Sequence, residues 1–362
     1  MDYKAVFKEK LSKLLFLEVD WDGFKRSTKI PENIRLKRKD LYIPISSKYI
    51  TNNVNNEIKI NNLPIYYFIE GMLIALGADE KLSYSEDYIT VLKNIKESED
   101  CGKGLVANRI KEDNLIDAYL LIKGLFLLTG NEEYYKKLLL VGEALIENDS
   151  AFGDVLLKDV EEGKEKFHKL SEPYLYKALF LKKKGDYTGA KVEIDQYLNK
   201  GGEVTLEIKE IIRDIDNVTT YEEAIKLLDK SPETAIGMLI GLTESFNKNP
   251  LIYYYLAVAN RKIENYEKAI YYLNESLAIE TGILEVITEL GINYACLGIY
   301  ENAIKYFKKG FEASKDVETC TNIVMCYLNM GNEKEAKLNF EIAKKLNPED
   351  EIVQQIDRMF AK

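Results

Sequence analysis

Catalysis needs a nucleophile, a titrating base, a metal cluster or a phosphate cradle, and this chain offers little towards any of them. Its single histidine, His168, lies in KEKFHKL. That stretch reads as helical and holds no nucleophile, so a structural role is expected. The cysteines, Cys101, Cys296, Cys320 and Cys326, include no C-x-x-C pair, and none stands beside His168. That pattern argues against a zinc site. Free, buried thiols in a reducing compartment are the expectation. GKG at Gly102–Gly104 lacks the full P-loop spacing and its Ser/Thr, and G-x-S-x-G, H-E-x-x-H and G-x-G-x-x-G do not occur. Carboxylates are plentiful, but on exposed helices they serve as solubilising charge. No catalytic residue, cofactor or metal is therefore expected, and an enzyme is not.

One charged segment could meet a ligand. Between Lys25 and Lys39 the run KRSTKIPENIRLKRK sets Lys25, Arg26, Lys29, Arg35, Lys37, Arg38 and Lys39 against a single acid, Glu32. Such a run can contact phosphates or an acidic partner. The plainer reading is a solvated loop, or one paired with acids of its own chain. The whole chain is acidic, with net charge −10 and a pI near 5.1. That is the reverse of a nucleic-acid footprint, so nucleic acid is an unlikely partner. MDYKAVFKEKLSKLL mixes charge with apolar residues and does not read as a signal peptide. The most apolar stretch, Leu63 to Leu76, is short and contains Glu70, so a buried helix is expected there, not a membrane span. A cytoplasmic location follows as the expectation.

Positioning such residues falls to the repeats in the last third of the chain. Ala269, Ala303 and Ala336 are separated by 34 and 33 residues. Four places after each stands a large apolar residue, Leu273, Phe307 or Phe340. Twelve places before each stands a smaller one, Ala257, Gly291 or Val324. A polar break (Glu264-Asn265, Gly298, Gly331-Asn332) precedes each alanine. This predicts helical hairpins in which a small residue on the first helix lets the alanine of the second approach closely. A single hairpin cannot bury its apolar face, so neighbours must stack.

The period and these positions resemble the tetratricopeptide repeat (TPR), of the prokaryotic type. Tyr253, Leu256, Ala257, Tyr266, Ala269 and Leu273 match one unit of that pattern. Ile287, Leu290, Gly291, Tyr294, Gly298, Tyr300, Ala303 and Phe307 match the next. Ile323, Tyr327, Gly331, Ala336, Phe340, Ala343 and Pro348 match the third. Asn260, Val324 and Glu333 depart from it. The resemblance implies an all-α, right-handed α-α superhelix, that is, a TPR-like solenoid. The expected organisation is an irregular, mostly helical region of unknown family over 1–110, with residues 21–62 irregular. Degenerate hairpin repeats follow over 111–248, then three clear units over 249–347 and a capping helix over 348–362.

Upstream, Ala178 and Ala190 repeat the same interval around Gly185 and predict a further hairpin. A weaker one is read around Gly130-Asn131, with Lys123 and Tyr135 where small residues are expected. Between these and the clear units, helices are read at Leu206–Ile215, at Tyr221–Leu228 and from Pro232, after a break at Gly201-Gly202. The chain should begin with an amphipathic helix and carry further helices near Ile65–Leu76 and Ser85–Ile95. LYIPI at Leu41–Ile45 could be extended, but Pro44 argues against a central strand.

The resemblance also implies a concave groove lined by the first helix of each unit. Its candidate residues are Tyr254, Tyr255, Val258, Glu285, Thr288, Glu289, Ile292, Glu318, Thr321, Asn322 and Met325. This aromatic, apolar and acidic set suits a protein or peptide partner with apolar and basic residues. Relatives that grip chaperone tails do so with Lys, Arg and Asn on these faces. Here the matching positions hold Tyr254, Val258, Glu289, Glu318 and Asn322, and the glutamates would repel a carboxylate. A chaperone C-terminal tail is therefore not expected. The expected function is a protein-interaction scaffold or adaptor. Alternatives are a structural or regulatory subunit docked to an enzyme through the N-terminal region, and an RNA-associated protein using residues 25–39.

Overall fold

A computed structural model of the 362-residue chain describes residues 2–38, 40–46 and 63–360. It is all-α in character, with 19 α-helices and one two-stranded ribbon among the described residues. The chain forms two compact units, Met1–Thr205 and Leu206–Lys362.

In the first unit, helix α1 (Tyr3–Ser12) is capped by Asp2, whose carboxylate accepts from the Lys4 and Ala5 amides. Strand β1 (Leu14–Val19) follows. Helix α2 (Trp21–Thr28), capped by Asp20, then occupies the start of the stretch expected to be irregular. Strand β2 (Leu41–Ser46) runs antiparallel to β1, with Leu14 opposite Ser46 and Val19 opposite Leu41. A two-stranded ribbon consists of edges alone, which is where a strand proline such as Pro44 is tolerated. Residues 47–62 of the expected irregular segment lie outside the described residues.

Two helices form the centre of this unit. Helix α3 (Ile65–Ala78) buries every residue from Phe68 to Gly77. After α4 (Ser85–Asn94) and α5 (Ser98–Lys111), helix α6 (Leu115–Thr129) buries every residue from Asp117 to Leu125. A helix apolar all round must be enclosed by others. Their crossing requires glycine. A Cβ at Gly77 would lie 2.0 Å from the Leu120 carbonyl oxygen, and one at Gly124 would lie 2.3 Å from that of Leu73. Gly102 of the GKG triplet lies inside α5, against Leu125 and Leu73. Helix α7 (Glu132–Asn148), a 3-10 turn at Ser150–Phe152 and α8 (Gly153–Lys166) lead to the hairpin α9 (Glu172–Lys183) and α10 (Tyr187–Asn199). His168 is exposed in the turn after α8, not on a helix, and its carbonyl accepts from Lys200 Nζ at 2.7 Å.

The second unit begins with α11 (Leu206–Leu227), one continuous helix where two were expected. Residues 216–220 are weak helix formers, but no glycine or proline interrupts them. The Thr219 hydroxyl is satisfied within the helix, donating to the Ile215 carbonyl at 2.9 Å and the Asp216 carbonyl at 3.1 Å. Helix α12 (Pro232–Leu242) completes a hairpin with it. Three further hairpins follow: α13 (Pro250–Lys262) with α14 (Tyr266–Ile279), α15 (Leu284–Cys296) with α16 (Tyr300–Ser314), and α17 (Val317–Asn329) with α18 (Glu333–Leu346). The terminal α19 (Glu351–Phe360) buries Val353 and Ile356 against Phe340 and Ala343. No helix among the described residues is long and apolar enough to cross a membrane.

Candidate functional site

The face that could receive a partner is set by the turn that ends each first helix. Glu264, Gly298 and Gly331 all take the left-handed conformation, with φ of 60°, 74° and 72°. The next amide closes back onto the first helix at 2.9 Å in every case: Asn265 to Asn260, Ile299 to Tyr294 and Asn332 to Tyr327. This Schellman-type closure satisfies terminal carbonyls and reverses the chain. Gly185 (φ 82°) makes the same turn in the first unit, with Asp186 bonding Leu181 at 3.0 Å. The turns fix the seams. Ala257, Ala269, Ala303, Val324 and Ala336 are fully buried, and a Cβ at Gly291 would meet the Phe307 ring at 2.6 Å. Leu273, Phe307 and Phe340 fill the space one turn after each alanine.

The second unit is a TPR-like repeat fold. Neither a protein-family model nor a curated protein matches the chain. Among solved structures it is similar to the MamA protein, at 21% identity over 49% of this chain and 92% of that one, with a TM-score of 0.37. It is also similar to YrrB, described as a TPR protein with an unusual peptide-binding site (16% identity, 55% and 97% covered, TM-score 0.37). PilW, a type IV pilus biogenesis factor, gives 16% identity, 62% and 99% coverage, and a TM-score of 0.37. The repeat assignment rests on the turns and seams themselves.

In this TPR-like unit the expected groove residues fall into rows that recur along α13, α15 and α17. Glu285 and Glu318 share a row and are exposed. Tyr254, Thr288 and Thr321 form a second row. Tyr255, Glu289 and Asn322 form a third, and Val258, Ile292 and Met325 a fourth. Met325 is exposed, and Tyr254, Tyr255, Val258, Thr288, Ile292 and Asn322 are half-buried. Tyr255 packs edge-on against Tyr221 of α11 at 5.9 Å, and Val258 packs with Leu228 and Ala235, so both also serve the seam with the preceding hairpin.

Two of the expected residues are buried. Thr321 donates to the Glu318 carbonyl at 2.8 Å. Glu289 is 5% exposed and accepts from Arg261 Nε, and its backbone carbonyl accepts from Asn293 Nδ2 at 2.8 Å. Its charge is therefore neutralised within the protein, and the acids of this face without an ion pair among the described residues are Glu285 and Glu318. Sequence reasoning missed Leu251, the exposed member of the Glu285–Glu318 row, and Arg261, the partner of Glu289. The 34-residue step back from Glu285 pointed to Leu251; nothing in the sequence marked Arg261. The departure at Asn260 has a local reason, because its buried amide donates to the Leu256 carbonyl at 2.7 Å.

The basic segment is not presented as one surface. Lys25 is buried, paired with Asp22 at 2.9 Å, bonded to the Glu32 carbonyl at 3.2 Å and set over the Trp21 ring. Lys37 pairs with Glu86, while its amide donates to Asp87 at 2.7 Å. Arg38 donates to the Ser83 carbonyl at 2.9 Å and lies over Tyr84. Arg26, Lys29 and Arg35 are exposed without an ion pair among the described residues, and Lys39 lies outside them. Of the thiols, Cys320 and Cys326 are buried as expected, Cys101 is half-buried, and Cys296 is exposed, contrary to expectation. Burial pushes the Cys320 and Cys326 thiols up to about 11, the state of inert core residues.

Proposed function

We propose that this protein is a non-catalytic scaffold that holds a segment of another protein along the first-helix face of α13, α15 and α17. The observation that carries this reading is the exposed set Leu251, Glu285, Glu318 and Met325, in register with half-buried Tyr254 and Ile292. Apolar and aromatic side chains supply area that gains from leaving water, and two unpaired carboxylates select cations beside it. The favoured occupant is a peptide with apolar anchors and Lys or Arg at helical or extended spacing. The ties that hold Lys25, Lys37 and Arg38 favour this reading over an RNA-binding one.

Random-peptide display against the full-length chain tests it. Recovered peptides should be enriched in Lys or Arg together with large apolar residues. Glu285→Lys combined with Glu318→Lys should abolish their capture while the cooperative unfolding transition persists; each site is exposed but lies in the first turn of its helix, so the double reversal should lower the unfolding free energy by about 1–2 kcal/mol. Glu289 is unsuited to this test, since reversing its charge would bury a lysine beside Arg261. Capture undiminished by the double reversal would remove the face from the account.

A further inference from the structure

Glu285 and Glu289 lie four positions apart on α15, so their side chains share a face, one turn from each other. Glu285 is exposed, whereas Glu289 is covered. Its cover is Arg261, which reaches over from the last turn of α13 and donates from Nε to Glu289 Oε1. The Arg261 side chain is 30% exposed and the Glu289 side chain 7%, so the guanidinium lies on the solvent side of the pair. Asn293 Nδ2 donates to the same carboxylate oxygen at 3.3 Å. Tyr254 stands beside them: burial raises its hydroxyl, Glu289 raises it further and Arg261 opposes the shift. The pair therefore borders the groove at Tyr254.

Stacking of the hairpins does not call for this pair. One and two repeats along from Arg261 stand Ala295 and Leu328, and the Glu289 row is completed by Tyr255 and Asn322. Neighbouring hairpins thus stack without a charge pair at these positions. A buried ion pair also adds little stability over apolar residues of similar volume. Lys262, paired with Asp229, already places a cation at the end of α13. What Arg261 does is occupy an acid that would otherwise take a basic side chain from outside.

We propose that Arg261 is a built-in competitor for the groove. It holds Glu289 as a partner's arginine would, and a partner with two basic residues one helical turn apart displaces it, pairing one with Glu285 and the other with Glu289. This rests on the reading of the face as a peptide groove. At rest the face takes one basic residue beside Tyr254, because the Arg261 guanidinium both fills Glu289 and repels a second cation. The exchange trades one guanidinium for another, so its cost is set by how rarely Glu289 is free.

Fluorescence anisotropy on the full-length protein tests this with two labelled leucine-alanine peptides, one bearing a single arginine and one bearing two arginines four residues apart. Arg261→Gln should tighten the two-arginine peptide by at least about fivefold and leave the single-arginine peptide within about twofold. Arg261→Gln with Glu289→Gln should remove that gain. In the wild-type protein, whatever the fate of the variants, the two-arginine peptide should shift the nitrogen-15 resonance of the Arg261 Nε–H towards that of a solvated guanidinium. Wild-type protein that binds the single-arginine peptide, while Arg261→Gln gives the two-arginine peptide no advantage, overturns the competitor and spares the groove. Weaker binding in Arg261→Gln overturns it too, since Arg261 would then touch the partner itself, and so does an unmoved Arg261 resonance. Binding of neither peptide by wild type or Arg261→Gln removes the groove and the competitor together.

Discussion

Lys123 and Asp159 make the first unit depend on a buried charge pair. Asp159 accepts from Lys123 and from the Tyr119 hydroxyl, and its backbone carbonyl accepts from the Tyr135 hydroxyl at 3.0 Å. Burial pushes the Asp159 carboxyl up, and Lys123 and the Tyr119 hydroxyl oppose that shift. Replacing Lys123 by Met would leave Asp159 and Glu80 without their cation, and should cost about 3–5 kcal/mol in urea denaturation. Lys123→Met with Asp159→Asn should recover much of that loss; a double variant no better than the single one would contradict the pairing. Burial disfavours the Lys123 ammonium, but Asp159 and Glu80 outweigh it and raise its pKa above the ordinary lysine value. Burial likewise raises Tyr88, Tyr119 and Tyr135. Groups whose folded pKa is raised give stability that is complete below their unfolded values and lost as pH climbs past them. Stability should therefore hold up to about pH 9.5 and then fall above about pH 10, by about 1.4 kcal/mol per pH unit for each such group. Urea midpoints that stay level through this alkaline range would contradict the assignment.

Among the elements, the hairpin turn is the unit of repetition, and it makes opposite demands on its glycine and non-glycine members. Glu264 adopts φ 60° where Gly298 and Gly331 supply the same geometry without a Cβ penalty. Glu264→Gly should therefore stabilise the second unit by about 0.5–1 kcal/mol, and Gly331→Ala should destabilise it by about 1 kcal/mol. Chemical denaturation measures both, and equal signs for the two changes would contradict the turn assignment. These hairpins were legible because Ala269, Ala303 and Ala336 recur at the spacing that close packing requires. The hairpin at Ala178 and Ala190 was legible for the same reason, with Gly185 between them. Strand β1 was not legible: LLFLEV continues the apolar content of α1, and only pairing with the distant Leu41–Ser46 makes it extended. Helix α2 was hidden by the charge of the segment after Trp21, although Asp20 supplies a normal cap. The junction at residues 216–220 of α11 read as a break because local propensity is weak there, whereas the hairpin with α12 keeps it helical. Among the face residues, the rows were legible from the period. The engagement of Glu289 was not, since Arg261 lies 28 residues away on another helix.

For the whole molecule, a net charge of −10 disfavours anionic polymers and favours cationic partners at long range. Capture of basic, apolar peptides should consequently weaken as salt rises, with the association rate falling more than the dissociation rate changes. Salt-independent association would argue that Glu285 and Glu318 play no part. In the second unit the exposed Glu285 and Glu318 mark the face that would receive such a partner. A site-specific photocrosslinker tests most directly whether that face is where a partner lies. Placed at Met325, it should join a captured basic-apolar peptide to the chain, whereas at Leu338, exposed on α18, it should not. Crosslinking at Leu338 with none at Met325 would contradict the account.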